Sequence, residues 1–190
     1  GGTGFTGKAL VRRLLADGHQ VVALDYQEGI KTEEIKQWGG EVVIGSVTDR
    51  SVVEKAFEGA DVIQHLAAAF RELDVPNTYY DEVNVGGTRT ALDVAKKAGV
   101  KKFIYCSTCG VHGNVENPPA NEEAPINAAD YYQQTKYQAE PLLKEFTASG
   151  DMKGVILRPT ALYGPGDKDR FGMIFRRVKK GKFPIFGTGK

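Results

Sequence analysis

No stretch of this chain approaches the run of about 18 apolar residues that a membrane-spanning helix needs. Neither sign of charge is in excess: 25 Lys and Arg face 24 Asp and Glu, for a net charge of +1. That balance argues against nucleic acid or a membrane surface as the main partner. Cysteine is scarce; two residues make no disulfide framework, so a reducing, cytoplasmic compartment is expected. Low-complexity segments and internal repeats are absent. So is an initiator Met, and no strand precedes the opening Gly1-Gly2-Thr3-Gly4-Phe5-Thr6-Gly7. The chain therefore reads as a piece of a longer protein, which leaves open whether a signal peptide comes before it. What is present is ordinary for a packed domain: 41% apolar residues for a core and 26% charged residues for a solvated surface.

Apolar periodicity alternates between helix and strand. It predicts helices over 6–17, 31–38, 50–57, 79–98, 129–147 and near 171–180, and strands over 21–25, 41–45, 62–66, 103–107 and 154–158. Repeated β-α units with nearly continuous apolar strands imply α/β architecture, a doubly wound parallel sheet covered on both faces. The first strand of such a sheet is central, and here it is missing. Two strand edges would then be left in the core, so the piece is not expected to fold well alone. After Pro159 the pattern loosens through Tyr163-Gly164-Pro165-Gly166-Asp167 and ends in Phe183-Pro184-Ile185-Phe186. Residues 1–160 are thus read as a nucleotide-binding domain, and 161–190 as the truncated start of a smaller substrate lobe.

Glycines at 1, 4 and 7 have the spacing of a turn that offers backbone N–H groups and a helix N-terminus to a pyrophosphate. Asp25 ends the second predicted strand of such a unit, where an acid can accept hydrogen bonds from both adenosine ribose hydroxyls. An acid there repels a 2′-phosphate, and no Arg or Lys follows before Lys31, so NAD is expected over NADP. Tyr132 and Lys136 are four residues apart and would share one helix face. Asp130 followed by Gln133 suits an N-cap and places Tyr132 in the first turn. An ammonium beside a phenol favours the phenolate, which predicts a lowered Tyr132 pKa and a group able to exchange a proton with an alcohol. The spacing alone also fits an exposed helix on which Lys136 pairs with Glu140. Ser107 and Thr108 end an apolar strand at the sheet edge where ligands of open α/β folds bind; Thr108 could bond a substrate oxygen, or both could simply make a turn. Cys106 and Cys109 form a C-x-x-C without a helix N-terminus or four nearby metal ligands, so neither redox nor metal chemistry is expected.

Taken in order, these motifs resemble the extended short-chain dehydrogenase/reductases, in the NAD-dependent epimerase/dehydratase branch, with likeness to 3β-hydroxysteroid dehydrogenases. The likeness runs over essentially the whole chain. It rests on Gly1-x-x-Gly4-x-x-Gly7, Asp61-Val62-Ile63-Gln64-His65-Leu66-Ala67-Ala68, Asn84-Val85-x-Gly87-Thr88, Ser107-Thr108, Tyr132-x-x-x-Lys136 and Arg158-Pro159-Thr160-Ala161-Leu162-Tyr163-Gly164-Pro165. The resemblance implies a Rossmann-type fold binding NAD. Gly1, Gly4, Phe5, Thr6 and Gly7 would line the pyrophosphate turn, and Asp25 would hold the adenosine ribose. Ser46 and Val47 would border the adenine, Ala67 and Ala68 would leave room for the dinucleotide, and Asn84 and Ser107 would lie near it. Pro159 and Thr160 would border the nicotinamide. Tyr132 would be the general acid/base, Lys136 would tune it and bind the nicotinamide ribose, and Thr108 would orient the reacting oxygen. Ala69, His112 and Arg170 would face the substrate.

Three departures from the family pattern matter. Ser46 stands where an Asp usually holds the adenine amino group. His112 stands where many members have Tyr, and can also be read as a plain loop residue. Ala161 stands where sugar-nucleotide enzymes often carry an Asn, which weighs against a sugar nucleotide. The expected activity is reversible hydride transfer at a secondary alcohol carbon of a sugar nucleotide or related molecule. The alternatives are a hydroxysteroid- or dihydroflavonol-type dehydrogenase and a non-catalytic NAD sensor. The basic cluster around Arg176 and Arg177 is read as a solvated helix face or an anion contact. The expected partners are a small-molecule substrate and a second copy of the chain.

Overall fold

Helix and strand alternate in the predicted order: α1 (Phe5–Ala16), β1 (Val22–Asp25), α2 (Ile30–Gln37), β2 (Glu41–Ile44), α3 (Arg50–Phe57), β3 (Val62–His65), α4 (Asn77–Tyr80), α5 (Gly87–Lys97), β4 (Lys102–Cys106), α6 (Tyr131–Thr147), β5 (Lys153–Leu157) and α7 (Phe171–Lys179). The computed structural model describes residues 1–28, 30–70, 74–167 and 171–182. Local chemistry sets several boundaries. Asp49 caps α3 by accepting from the backbone N–H groups of Ser51 and Val52, and Asp130 caps α6 by accepting from that of Gln133. Helix α5 runs out at Gly99, whose φ of 72° suits a residue without Cβ.

Every strand pairing is parallel. The strands form two sheets, β1–β2 and β3–β4–β5. Gly1 and Gly2 lie between their carboxyl ends: both N–H groups reach the Leu24 carbonyl, at 2.8 and 3.0 Å, and a Cβ on Gly1 would come within 2.8 Å of the Ala67 nitrogen.

The larger core joins Phe57, Ile63, Leu92, Phe103, Tyr105 and Leu143 between helices α3, α5, α6 and the strands. A second cluster of Val11, Ala23 and Ile35 lies under α1 and α2. Complete burial of a residue such as Leu92 or Phe103 stabilises by about 1.5–3 kcal/mol. The expected covering on both faces is incomplete in both sheets: β1 and β3 share one alternating burial pattern, Val22 and Ile44 are exposed in β1–β2, and Val62, Val155 and Leu157 stay 37–49% exposed in β3–β5.

The predicted long helix over 79–98 is also revised. It starts at Asn77 and carries a π-helical turn, Asp81–Gly86, between α4 and α5. Widened turns of this kind cluster at functional sites, and Asn84 lies inside this one.

The chain divides into two compact units, Gly1–Thr160 and Ala161–Lys190. In the second, the Asp167 carboxylate accepts from the Phe171 N–H at 3.1 Å, at the start of α7. The Phe171 ring contacts those of Tyr163 and Phe175, with centroids 5.2 and 6.4 Å away. Arg176, Arg177 and Lys179 sit in the last turn of α7, where cations suit the helix dipole. Arg170 and the 183–186 segment lie outside the described residues.

Candidate active site

The glycine turn is built for close backbone packing. A Cβ on Gly2 would lie 2.7 Å from the Ala23 side chain, and one on Gly7 only 2.1 Å from the Gly1 carbonyl oxygen. Gly4 differs: its Cβ would meet the Gly1 oxygen at 3.2 Å and nothing else within 4 Å. Gly4 is also the N-cap of α1, with no capping side chain and no acid in the first turn. The first-turn N–H groups of α1 therefore have no side-chain cap, an arrangement that fits a bound pyrophosphate.

Asp25 stands beside this turn, 8% exposed. Its Oδ2 accepts from the Thr3 N–H and hydroxyl at 2.9 and 2.7 Å, and its Oδ1 from the Tyr26 N–H at 2.8 Å. Oδ2 thus has both its lone pairs engaged, and Oδ1 keeps capacity for one further donor such as a ribose hydroxyl. Ser46 shares a hydrogen bond with Thr48 at 2.8 Å. Val47 is 7% exposed, belongs to the main core and packs onto Gly87.

The Tyr–Lys pair lies on α6, which packs against β4 and β5. Lys136 is 1% exposed, and its ammonium lies over the Tyr105 ring, 4.3 Å from the centroid, a cation–π contact. The Tyr105 hydroxyl in turn donates to the Lys136 carbonyl at 3.1 Å. Burial pulls the Lys136 ammonium down to a pKa of about 8, opposed by Cys106 and Glu140. The expected lowering of the Tyr132 pKa is not what the structure gives. Burial foremost, then Cys106 and Asp130, push the phenol up to about 12, because a half-buried hydroxyl loses solvation of its anion while the ammonium sits over a different ring.

Tyr132 has a neighbour that the sequence did not single out. Phe70 is 51% exposed, and its ring meets that of Tyr132 edge-on at 4.8 Å. It follows the Ala67-Ala68-Ala69 segment directly. Ala69, expected on the substrate side, is 3% exposed. Its N–H donates to Asn84 Oδ1 at 2.8 Å and its carbonyl accepts from Asn84 Nδ2 at 3.2 Å. Asn84 also donates to the Thr135 hydroxyl at 2.9 Å. Asn84, expected near the cofactor, is fully buried and ties the segment after β3 to the helix carrying Tyr132 and Lys136. Asn84→Ala would leave two backbone groups and a hydroxyl without this partner in the core. At about 1–3 kcal/mol for each unsatisfied group, the expected loss in chemical denaturation is roughly 3 kcal/mol or more.

Thr108 caps the 3-10 turn Cys109–His112, its Oγ1 accepting from the Gly110 N–H at 3.1 Å. The hydroxyl proton stays available for another acceptor. Ser107 is 3% exposed and donates to Glu140 Oε1 at 2.6 Å. Glu140 is itself 1% exposed and is held by Arg158 in two hydrogen bonds, 3.0 Å from Nε and 2.6 Å from Nη2. An exposed Lys136–Glu140 pair is therefore not formed: both residues are buried, and the carboxylate partners Arg158 and Ser107.

Both ring nitrogens of His112 have protein partners. Arg158 Nη1 can only donate, so His112 Nε2 accepts at 2.9 Å. The Nδ1 proton is then directed at the Pro125 carbonyl, 3.2 Å away. Pro159 is half-buried and accepts from the Cys109 N–H at 3.0 Å, and Thr160 is exposed. Cys109 is exposed and Cys106 partly buried. Among the described residues no group of three or more His, Cys, Asp or Glu could hold a metal ion, and no helix is long and apolar enough to cross a membrane.

Comparison with known proteins places these contacts in a wider set. The model of the NAD dependent epimerase/dehydratase family matches residues 1–190. An N-acetyl-alpha-D-glucosaminyl-diphospho-ditrans,octacis-undecaprenol 4-epimerase of Escherichia coli O157:H7 is 33% identical over 192 residues, covering 100% of this chain and 55% of the relative. A 3 beta-hydroxysteroid dehydrogenase/Delta 5-->4-isomerase of Mycobacterium tuberculosis is 33% identical, covering 97% of this chain and 52% of the relative. Among solved structures, the UDP-glucose 4-epimerase of Thermus thermophilus, in complex with NAD, superposes with a TM-score of 0.84 at 30% identity, covering 97% of this chain and 62% of that one. That of Thermotoga maritima, with UDP-glucose, gives 0.85 at 29% identity, covering 100% and 65%. The chain spans about half the length of the curated relatives it matches.

Proposed function

Because the chain belongs to the NAD dependent epimerase/dehydratase family, we propose that the protein containing it is an NAD-dependent oxidoreductase acting on a secondary alcohol. When bound, NAD accepts a hydride from the alcohol carbon and can return it. Gly1, Gly4 and Gly7 admit the pyrophosphate to the N-terminus of α1, and Asp25 receives the adenosine ribose. Tyr132 Oη exchanges the proton of the alcohol, Thr108 Oγ1 orients the same oxygen, and Lys136 supplies a buried positive charge beside them. Residues 161–190 begin a substrate-binding region. The observation that carries this reading is the packing of one buried helix face, with Tyr132 and Lys136, onto the end of β4 (Tyr105 and Cys106). The glycine turn opens at the same carboxyl edge of the strands.

One observation favours an alcohol with an apolar body, as in the hydroxysteroid-type alternative. Phe70 places a half-exposed aromatic ring against Tyr132. A flat apolar substrate takes more apolar area out of water on such a ring than the smaller C–H face of a sugar does.

The alkaline limb of the pH profile tests the role of Lys136. The ammonium is present below its pKa of about 8 and is lost above it, so NAD affinity and turnover are expected to fall as pH rises through that value. Stability runs the other way. The folded-state pKa lies below the ordinary 10.5, so burying the cation costs in full below about 8, and that cost is relieved between about 8 and 10.5. Calorimetric NAD titrations across this window, beside thermal melts at each pH, separate the two. Affinity unchanged well above this pKa would remove Lys136 from the cofactor site.

A further inference from the structure

Helix α6 repeats chemistry every fourth residue: Tyr132, Lys136 and Glu140. Residues at that spacing share a face, and the third member is as buried as the second, at 1% exposure each. A carboxylate taken this far out of water is retained only with strong partners. Glu140 has two: Ser107 on β4's extension at 2.6 Å, and Arg158 just past β5 at 3.0 and 2.6 Å. The three elements that meet here all lead into the site. Ser107 precedes Thr108 directly, Arg158 precedes Pro159 and Thr160, and α6 carries Tyr132 and Lys136. Arg158 reaches further still, to His112 Nε2 at 2.9 Å and the Glu122 carbonyl at 3.0 Å.

We propose that Glu140 is a positioning residue of the active site: held by Ser107 and Arg158, it fixes the Thr108-bearing end of β4 against the Tyr132–Lys136 face, and its carboxylate balances the Arg158 cation on the helix face that carries Lys136. The proposal rests on the NAD-dependent reading given above. The charges around Lys136 make the sign of its effect definite. Tyr132 and Glu140 flank it on α6, Tyr105 and Cys106 face it from β4, and His65 lies nearby on β3. Burial raises the Cys106 thiol and the Tyr132 phenol, and keeps His65 uncharged well below its ordinary range. Glu140 is the carboxylate in this set, and the Arg158 guanidinium is bonded to both its oxygens. Arg158, which Glu140 shields, faces His112, Tyr137 and Glu122 on its other sides.

Two charge-removing variants of the full-length protein test this. Glu140→Gln removes the anion and leaves two cations, Lys136 and Arg158, on either side of a neutral amide. The alkaline limb of NAD affinity is expected to move to lower pH by about one unit or more. Arg158→Gln removes the counter-ion, so the limb is expected to stay or move to higher pH. A pair serving the fold alone would lower melting temperature in both variants and leave both limbs where they are in wild type. Ser107→Ala keeps all charges and cuts only the tie to β4; turnover is expected to fall several-fold or more with the limb unmoved. It also keeps the proposal testable if Glu140→Gln fails to fold. Unmoved limbs in both charge variants, or full turnover in Ser107→Ala, overturn the proposal. Wild-type protein that binds no NAD at any pH overturns the underlying reading as well, which distinguishes the two failures.

Discussion

Tyr132→Phe in the full-length protein is expected to lower kcat/KM by about 10²–10⁴-fold, the usual contribution of a positioned acid/base. NAD affinity and melting temperature should stay close to wild type. The phenyl ring keeps the edge-on contact with Phe70 at 4.8 Å, and among the described residues the Tyr132 hydroxyl makes no hydrogen bond that the change would remove. The contrast with Lys136 is informative. Lys136→Met removes a charge buried over Tyr105 and is expected to weaken NAD binding and slow turnover together. Steady-state kinetics with calorimetry checks both. A Tyr132→Phe enzyme retaining more than about a tenth of wild-type kcat/KM would move the proton transfer to another group.

Gly7→Ala carries the second large effect. The new methyl would lie 2.1 Å from the Gly1 carbonyl oxygen and 2.8 Å from Gly2 backbone atoms. Backbone in a tight turn cannot swing aside as a side chain can, so the turn itself must shift. Misplacement by about 1 Å at a site of this kind costs on the order of 100-fold, and NAD affinity is expected to fall by at least that much. Gly86→Ala is the matched control. Its Cβ would lie 3.7 Å from the Asp81 oxygen, an ordinary contact, at an exposed helical position. It is expected to leave NAD binding alone and to raise stability by about 0.5–1 kcal/mol. Equal NAD affinity in Gly7→Ala and wild type would show that the turn does not hold the dinucleotide.

The fold was legible wherever a short local pattern decides the outcome. Asp130 and Gln133 announced the start of α6, and the alternation of apolar runs with Gly turns announced the parallel strands. Long-range partners were not legible. Glu140 stands four residues after Lys136, so spacing alone makes it an exposed partner for that lysine. Its true partner, Arg158, arrives only when β5 folds beside β4. The same holds for Asn84, whose side chain is taken by Ala69 and Thr135 from two other segments. It holds for His112 too, which spacing could not link to Arg158 or to Pro125. Phe70 reads in sequence as one more apolar residue after Ala69, and only the approach of α6 sets it against Tyr132. The Tyr132 pKa was misjudged for a related reason: i,i+4 spacing places two side chains on a face, but burial and the Tyr105 ring decide where the ammonium goes.

The most direct test of the account is a single incubation of the full-length protein with NAD and a panel of alcohols spanning sugar nucleotides and hydroxysteroids, following NADH absorbance and product composition together. The account predicts a new product from one class, with NADH either retained or returned, and loss of that product in Tyr132→Phe. Clear NAD binding with no product from either class, or a product that Tyr132→Phe forms as fast as wild type, would contradict it.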